Sequence, residues 1–287
     1  MDARTTALAW LAAARPAVVV EVAAARGSVP REAGTRMLVA ADAVHGTIGG
    51  GHLELKAIAH ARALLAGHSA DTEQHFPLGP ALGQCCGGAV TLRYAPLGAE
   101  ALARWPAEPP LFTLQLYGAG HVGRAIVRLL ASLPCRVQWI DEREAEFPRD
   151  EVLQAHIERV CVEPVEAEVA AAPPGAFYLV LTHSHDLDLA LSRTILERGD
   201  FGFFGLIGSA TKRARFVRRF EARGIAPATI ARMQCPIGVP GIAGKQPEVI
   251  AVAVVAQLLQ QAARPVAPAA TALATVPETA ARGCVSA

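Results

Sequence analysis

Hydrophobic positions along this chain fall into two regimes that change near residue 110. Beyond it, short unbroken apolar runs recur at regular intervals: LFTLQLY (111–117), RVQWID (136–141), RVCVEP (159–164), FYLVLTH (177–183) and FGFFGLIGS (201–209). Runs of strand length without polar alternation are buried on both faces, as in a parallel sheet covered by helices. The segments RAIVRLLASL (124–133), LDLALSRTILERG (187–199) and ATKRARFVRRFEARG (210–224) supply those helices. In the last of them Phe216 and Phe220, four apart, mark the face that meets the core. This alternation predicts an α/β fold with a Rossmann-like parallel sheet domain over residues 111–263.

Upstream the pattern is less regular. A helix is predicted over about 3–14, followed by strands at AVVVEVAAA (17–25) and RMLVAA (36–41). HLELKAIAHARALLAG (52–67) carries a helical stripe through Leu53, Ala57, Ile58, Ala61, Leu64 and Leu65 and stops at Gly67. AVTLRYAPL (89–97) is another strand. Residues 1–100 therefore read as a smaller α/β N-terminal domain. ALARWPAEPP (101–110), with its three prolines, is the linker, and the Pro/Ala/Thr-rich stretch 264–287 is a disordered tail.

A length of 287 residues suits two such domains. Lys and Arg number 27 against 26 Asp and Glu, so no overall field draws in nucleic acid or an anionic membrane, and any anion site must be local. The six cysteines show neither C-x-x-C nor a zinc spacing, which fits a reducing compartment. MDARTTALAWLAAARP reads as an amphipathic helix rather than a signal peptide, because its apolar run is short and an acid stands at residue 2. VIAVAVVAQLL (249–259) falls short of the roughly 20 apolar residues that cross a bilayer. The expected location is cytoplasmic.

Against this background the glycine-bearing turns carry the chemistry. GAGHVG (118–123) follows a strand and opens a helix, the context in which Gly118, Gly120 and Gly123 let a backbone approach a pyrophosphate. His121 sits inside that turn, and Asp141, at the tip of the next strand, is placed to accept from a ribose hydroxyl. The same glycines also serve tight strand-to-helix packing. LIGSATKRARF (206–216) repeats the logic with Gly208, then Ser209 as N-cap, then Lys212 and Arg213, which can hold a phosphate at a helix start. Arg215, Arg218 and Arg219 continue as a solvated basic face. In THSHDLD (182–188), His183 and His185 emerge at the carboxyl end of a strand as ligand-contacting groups. The di-metal pattern H-x-H-x-D-H fails at Leu187 and Asp188, and Asp186 reads as an N-cap.

In the first half, IGGGHLE (48–54) places Gly49, Gly50 and Gly51 before a helix, and GQCCGG (83–88) sets Gln84, Cys85 and Cys86 in a collar of glycines. Adjacent cysteines seldom pair with each other, so these are free thiols. Cys235 lies in QCPIGVPGIAGKQPEVIAVAV, where a loop carrying Lys245 leads to a helix started by Pro247. Cys135 and Cys161 read as core residues, and Cys284 lies in the tail.

Taken together, VEVAAARGSVPREAGTRML, TIGGGHLE, LGQCCGG, YGAGHVGRAI, THSHDLDL, IGSATKRARF and CPIGVPGIAGKQPEVIAV resemble the XdhC/CoxI family from about residue 17 to 258. That resemblance implies an accessory protein, not an enzyme with its own turnover. It implies a chaperone that binds the molybdenum cofactor in its molybdopterin form and protects it while sulfur from a cysteine desulfurase replaces an oxo ligand. The cofactor is then delivered to the molybdenum-binding subunit of apo xanthine dehydrogenase. The resemblance does not single out the thiol that meets molybdenum; soft thiolates suit that metal, and Cys86 or Cys85 is the expected contact ahead of Cys235. A handing-over role is compatible with a homodimer. The residues themselves also admit an NAD(P)-dependent oxidoreductase using GAGHVG and Asp141 with His183 or His185 as acid/base, or an adaptor whose Rossmann half binds nothing.

Overall fold

A computed structural model describes residues 3–49, 51–78, 87–107, 109–149 and 152–264. The N-terminal part is an antiparallel sheet of β1 (Ala17–Arg26), β2 (Arg36–Ala40), β3 (Val44–Gly46), β4 (Glu73–Pro77) and β5 (Ala89–Pro96), in the order β3-β2-β1-β5-β4. Helix α1 (Ala3–Ala12) and helix α2 (Gly51–Leu65) cover opposite faces of it. The central strand β1 is apolar at nearly every position because both faces are covered: Val18, Val20 and Val22 meet Leu53, Ala57 and Ala61 of α2, while Val19 meets Ala7 of α1. Part of the expected linker belongs to this unit. Helix α3 (Ala99–Ala103) occupies its start, and Trp105 is buried beside Val19, its carbonyl accepting from Arg4 Nε at 2.8 Å.

The second part is a parallel sheet of β6 (Thr113–Tyr117), β7 (Arg136–Asp141), β8 (Ile157–Cys161), β9 (Phe177–Val180), β10 (Phe203–Leu206) and β11 (Met233–Gln234), ordered β11-β10-β9-β6-β7-β8. Helices α4 (His121–Leu130) and α9 (Pro247–Ala262) pack on one face. Helices α6 (His185–Arg198) and α7 (Ala210–Glu221) pack on the other, with short α5 (Glu168–Ala171) and α8 (Pro227–Ala231) at the periphery. Phe216 and Phe220 are fully buried, each contributing roughly 1.5–3 kcal/mol of apolar burial. The chain builds outward through β6, β7 and β8, then returns to the far side of β6 for β9. The turns after β6 and β9 therefore flank the point where strand order reverses, the usual ligand crevice of an open α/β sheet. Among the described residues no helix is long and apolar enough to cross a membrane.

Strands β9 and β10 end earlier than their apolar runs, at Val180 and Leu206, because the next residues turn to cap helices. Strand β8 is shifted toward Ile157 and stops at Cys161, before Pro164, which has no N–H to give a ladder. Strands β3, β4 and β11 lie outside the predicted runs. Cys161, expected in the core, instead closes an outer strand with its side chain exposed.

Candidate functional site

Two helix starts converge at the carboxyl edge of the parallel sheet. After β9 the chain turns through Thr182 and His183 to Ser184, whose Oγ caps α6 by accepting from Leu187 N at 3.4 Å. After β10 it turns through Ile207 and Gly208 to Ser209, whose Oγ caps α7 by accepting from Lys212 N at 3.2 Å. Between them lies a cavity of about 280 Å³, lined by Thr182, His183, His185, Gly208, Ser209 and Lys212 among others. Two positive helix ends beside one cavity favour an anion.

Below the rim sits a buried ion pair. Lys212 Nζ lies 2.5 Å from Asp188 Oδ2 and donates to Ile207 O at 2.8 Å. Asp188 Oδ1 accepts from Thr182 N at 3.0 Å and from Thr182 Oγ1 at 2.7 Å. The pair thus ties the β9 loop, α6, the β10 loop and α7 into one unit. Gly208 is required here, since a Cβ would come within 2.6 Å of the Lys212 stem. Lys212 does line the cavity, but its charge is already matched by Asp188, so it contributes at most its remaining N–H to a ligand. Arg213 is half-buried next to it and does not line the cavity.

Both histidines of THSHDLD are exposed, and His183 Nε2 stands 3.6 Å from Glu142 Oε1, a pair that is ionic only when the imidazole is protonated. Among the described residues no three His, Cys, Asp or Glu side chains form a metal-holding group. Asp186 is not the N-cap. Ser184 takes that role, and Asp186 occupies the first helical turn.

In the glycine turn after β6 the three glycines do different things. Gly118 has φ +122°, and a Cβ there would lie 2.3 Å from Leu181 O; at Gly123 it would lie 2.1 Å from Gly118 O. Both are demanded by packing. Gly120, the N-cap of α4, meets nothing within 4 Å, so the fold itself does not require a glycine there. Asp141 is engaged inside the protein: Oδ2 accepts from Ala119 N at 2.7 Å and from Arg143 Nη2 at 3.0 Å, and Oδ1 from Arg143 N at 2.9 Å and Arg143 Nε at 3.0 Å. Burial opposes its ionisation, but the Arg143 guanidinium and the amides of Ala119 and Arg143 outweigh that and hold the carboxyl below its usual range. With Arg143 in place, no acceptor position remains for a ribose hydroxyl. The crevice between Gly118, Asp141 and His183 measures only about 10 Å³, room for one water at most. His121 is exposed at the start of α4.

In the N-terminal unit, Gly49 has φ +122°, and a Cβ would lie 2.6 Å from the Pro30 ring. Gly51 opens α2, and Glu54 Oε2 braces the turn by accepting from Thr47 Oγ1 at 2.5 Å and Ile48 N at 3.2 Å. Gly50, Gln84, Cys85, Cys86 and Cys284, with the tail from 265, lie outside the described residues. The residues flanking that stretch are described: Leu78 N donates to Gly88 O at 2.7 Å, and a Cβ on Gly88 would lie 2.4 Å from the carbonyls of Arg26 and Ser28. The glycine behind the thiols therefore has a packing reason of its own.

Of the remaining thiols, Cys235 is buried behind the serine-capped rim, its Sγ 3.9 Å from Ser209 O, and burial pushes its pKa up despite nearby Lys212 and Arg213. Burial pushes the Cys135 thiol up to about 11. Lys245 is exposed in the loop before α9. Sequence reasoning missed Asp188, Thr182 and Ser184 as the site's framework. A signal existed: Lys212 lies four residues before Phe216, on the stripe that points inward.

The family model described as the XdhC Rossmann domain matches residues 114–258, and that of the XdhC and CoxI family matches residues 10–76. The uncharacterized protein YqeB of Escherichia coli (strain K12) is 30% identical over 264 residues, covering 85% of this chain and 43% of its own. The chain thus spans under half the length of that relative. A crystal structure described as a xanthine dehydrogenase from Bacillus halodurans shares the fold, with a TM-score of 0.71 at 18% identity, covering 91% of this chain and 96% of that one.

Proposed function

The chain belongs to the XdhC family, and on that premise we propose that it is a maturation protein which holds the molybdenum cofactor and delivers it to apo xanthine dehydrogenase. The observation that carries this reading is the pair of serine-capped helix starts around the 280 Å³ cavity at the carboxyl edge of the sheet. That space is small for a whole pterin–molybdenum guest and suits its phosphate-bearing end. The donors are mainly backbone N–H groups and hydroxyls, which hold an anion by hydrogen bonds without locking it in a salt bridge, as release requires. Cys85 and Cys86 are proposed as the soft ligands or shields for the metal, with a cysteine desulfurase as sulfur donor. The bound group supplies the redox chemistry of the mature dehydrogenase; this chain's own residues only bind, shelter and let go.

The test is to produce the full chain in a host that makes the cofactor, then quantify molybdenum and the oxidised pterin in the purified protein. Near-stoichiometric pterin is expected, with metal content or protection reduced in Cys85→Ala/Cys86→Ala. Undiminished retention in that double variant removes the thiols from the account. Absence of pterin from the parent chain removes the chaperone reading.

One observation favours a second reading, a nicotinamide dinucleotide at the turn after β6: the open space over Gly120. The filled acceptors of Asp141 and the narrow crevice weigh against it. Fluorescence titration with NADH and NADPH decides, since saturable quenching without molybdenum cofactor binding would reverse the ranking.

A further inference from the structure

A second cavity, of about 510 Å³, is walled mainly by the N-terminal unit, with Pro134 of the second part, and shares no lining residue with the serine-capped one. Its lining includes Arg4 of α1, Arg31 and Gly34 of the loop between β1 and β2, Arg36 of β2, Trp105, and Pro134 just ahead of β7. Among the described residues no carboxylate lines it. Of its three guanidinium groups, one is matched: Arg36 Nη2 lies 2.7 Å from Glu21 Oε1, donates to Arg104 O at 2.9 Å, and stacks over Trp105 at 5.4 Å. Glu21 also faces Arg93 at 3.9 Å, so this acid is shared by two cations. Arg4 uses Nε on Trp105 O, and among the described residues neither Arg4 nor Arg31 has a carboxylate partner. Among the described residues the wall therefore carries unbalanced positive charge around an open space.

Arg31 is held in place without spending its guanidinium. The loop bearing it is pinned at one end where Gly27 and Ser28 meet Gly88, and in the middle where Pro30 packs on Gly49. Gly34 faces the cavity with nothing within 4 Å of where a Cβ would stand. A fixed backbone, a free planar donor fork and a neighbouring guanidinium are what bidentate recognition of a phosphate needs. The volume exceeds the needs of inorganic phosphate and falls in the range of small-molecule sites, about 300–1,000 Å³. Trp105 and Pro134 supply apolar wall for an organic body.

We propose that this cavity binds the phosphate monoester of a small organic molecule, with Arg31 and Arg4 closing on the phosphate and Arg36 as a fixed wall charge. The cavity shares no lining residue with the serine-capped one, and phenyl phosphate binding is read without the molybdenum cofactor, so its failure leaves the cofactor reading standing.

The experiment uses the full chain labelled with 5-fluorotryptophan, its Trp105 resonance assigned by Trp105→Phe, and phenyl phosphate as probe. Saturable movement of the Trp105 signal at low salt is expected, with no movement by phenol. In Arg31→Gln, and separately in Arg4→Gln, the titration should shift to higher ligand by about tenfold or more, the loss of a charge-assisted contact. Arg31 is exposed and its guanidinium is unpaired among the described residues, so its variant tests binding rather than folding. The proposal is overturned by a Trp105 signal that phenyl phosphate leaves unmoved, by variants that titrate like the parent, or by chloride or benzoate acting as well as the phosphate ester.

Discussion

Replacing Asp188 by asparagine preserves the shape of the side chain and removes one charge from beneath the serine-capped cavity. In the parent, Lys212 Nζ has a carboxylate 2.5 Å away, and both side chains are almost wholly shielded from water. The substituted amide still offers an oxygen to Thr182, so the local turn has a route to persist, while Lys212 loses the anion that matches it. Breaking a buried pair from one side costs about 3–5 kcal/mol, against about 0–1 for a surface pair. The double variant Asp188→Asn/Lys212→Met removes the stranded charge and should recover most of that loss. The assay is urea unfolding of the three proteins followed by far-UV circular dichroism, with the slope checked for constancy. If the single variant loses under about 1 kcal/mol, the pair is solvated and the account of how this site is held is wrong. A double variant no better than the single would refute the charge argument specifically and leave shape as the cause.

Four further outcomes are expected. Gly123→Ala should cost about 3 kcal/mol or more, since its Cβ would stand 2.1 Å from a carbonyl oxygen, whereas Gly120→Ala meets no clash and should cost only the poorer N-cap, about 1 kcal/mol or less; paired thermal melts compare them. Cys161 should react with an iodoacetamide reagent in the native protein while Cys135 and Cys235 stay protected until urea unfolds the chain, read by peptide mass spectrometry. Asp141 has a folded pKa below its unfolded value, so the stability it provides is complete above about pH 4 and disappears as pH falls through the lowered value. Arg143→Met should reduce that acid-sensitive component, and an unchanged acid unfolding curve would contradict the bond network. On the proposed cofactor-holding role, Arg213→Ala should weaken pterin retention in a salt-dependent way through long-range charge; salt-independent loss would mean structural damage.

Much of the fold is legible because burial on two faces leaves an unmistakable trace. The runs at 111–117, 136–141 and 177–183 have no alternative to central parallel strands, and the glycine turns between them have to lie at strand ends. β4 escapes because EQHFP alternates exposure with only partial burial, and β11 because two residues carry no period. The site is only half legible. Ser209 announces itself as a cap by its place between a strand and a basic helix. Asp188 does not, since in sequence it reads as a failed metal ligand, and its true partner lies 24 residues away on another helix. Asp141 shows the limit from the other side: spacing puts it at the ribose position, but its engagement by Arg143, two residues on, depends on a local turn that spacing does not encode. The arginine cavity is invisible for the same reason, its walls coming from residues 4, 31, 36, 105 and 134.

The bond from Leu78 N to Gly88 O acts as a clasp. It carries the β4–β5 pairing one step past Pro77 and Ala89 and seats Gly88 against the carbonyls of Arg26 and Ser28, so three strands are fastened to one another at this edge. Any side chain at residue 88 would have to push those carbonyls aside, so drift in this stretch of sequence is checked at that one position.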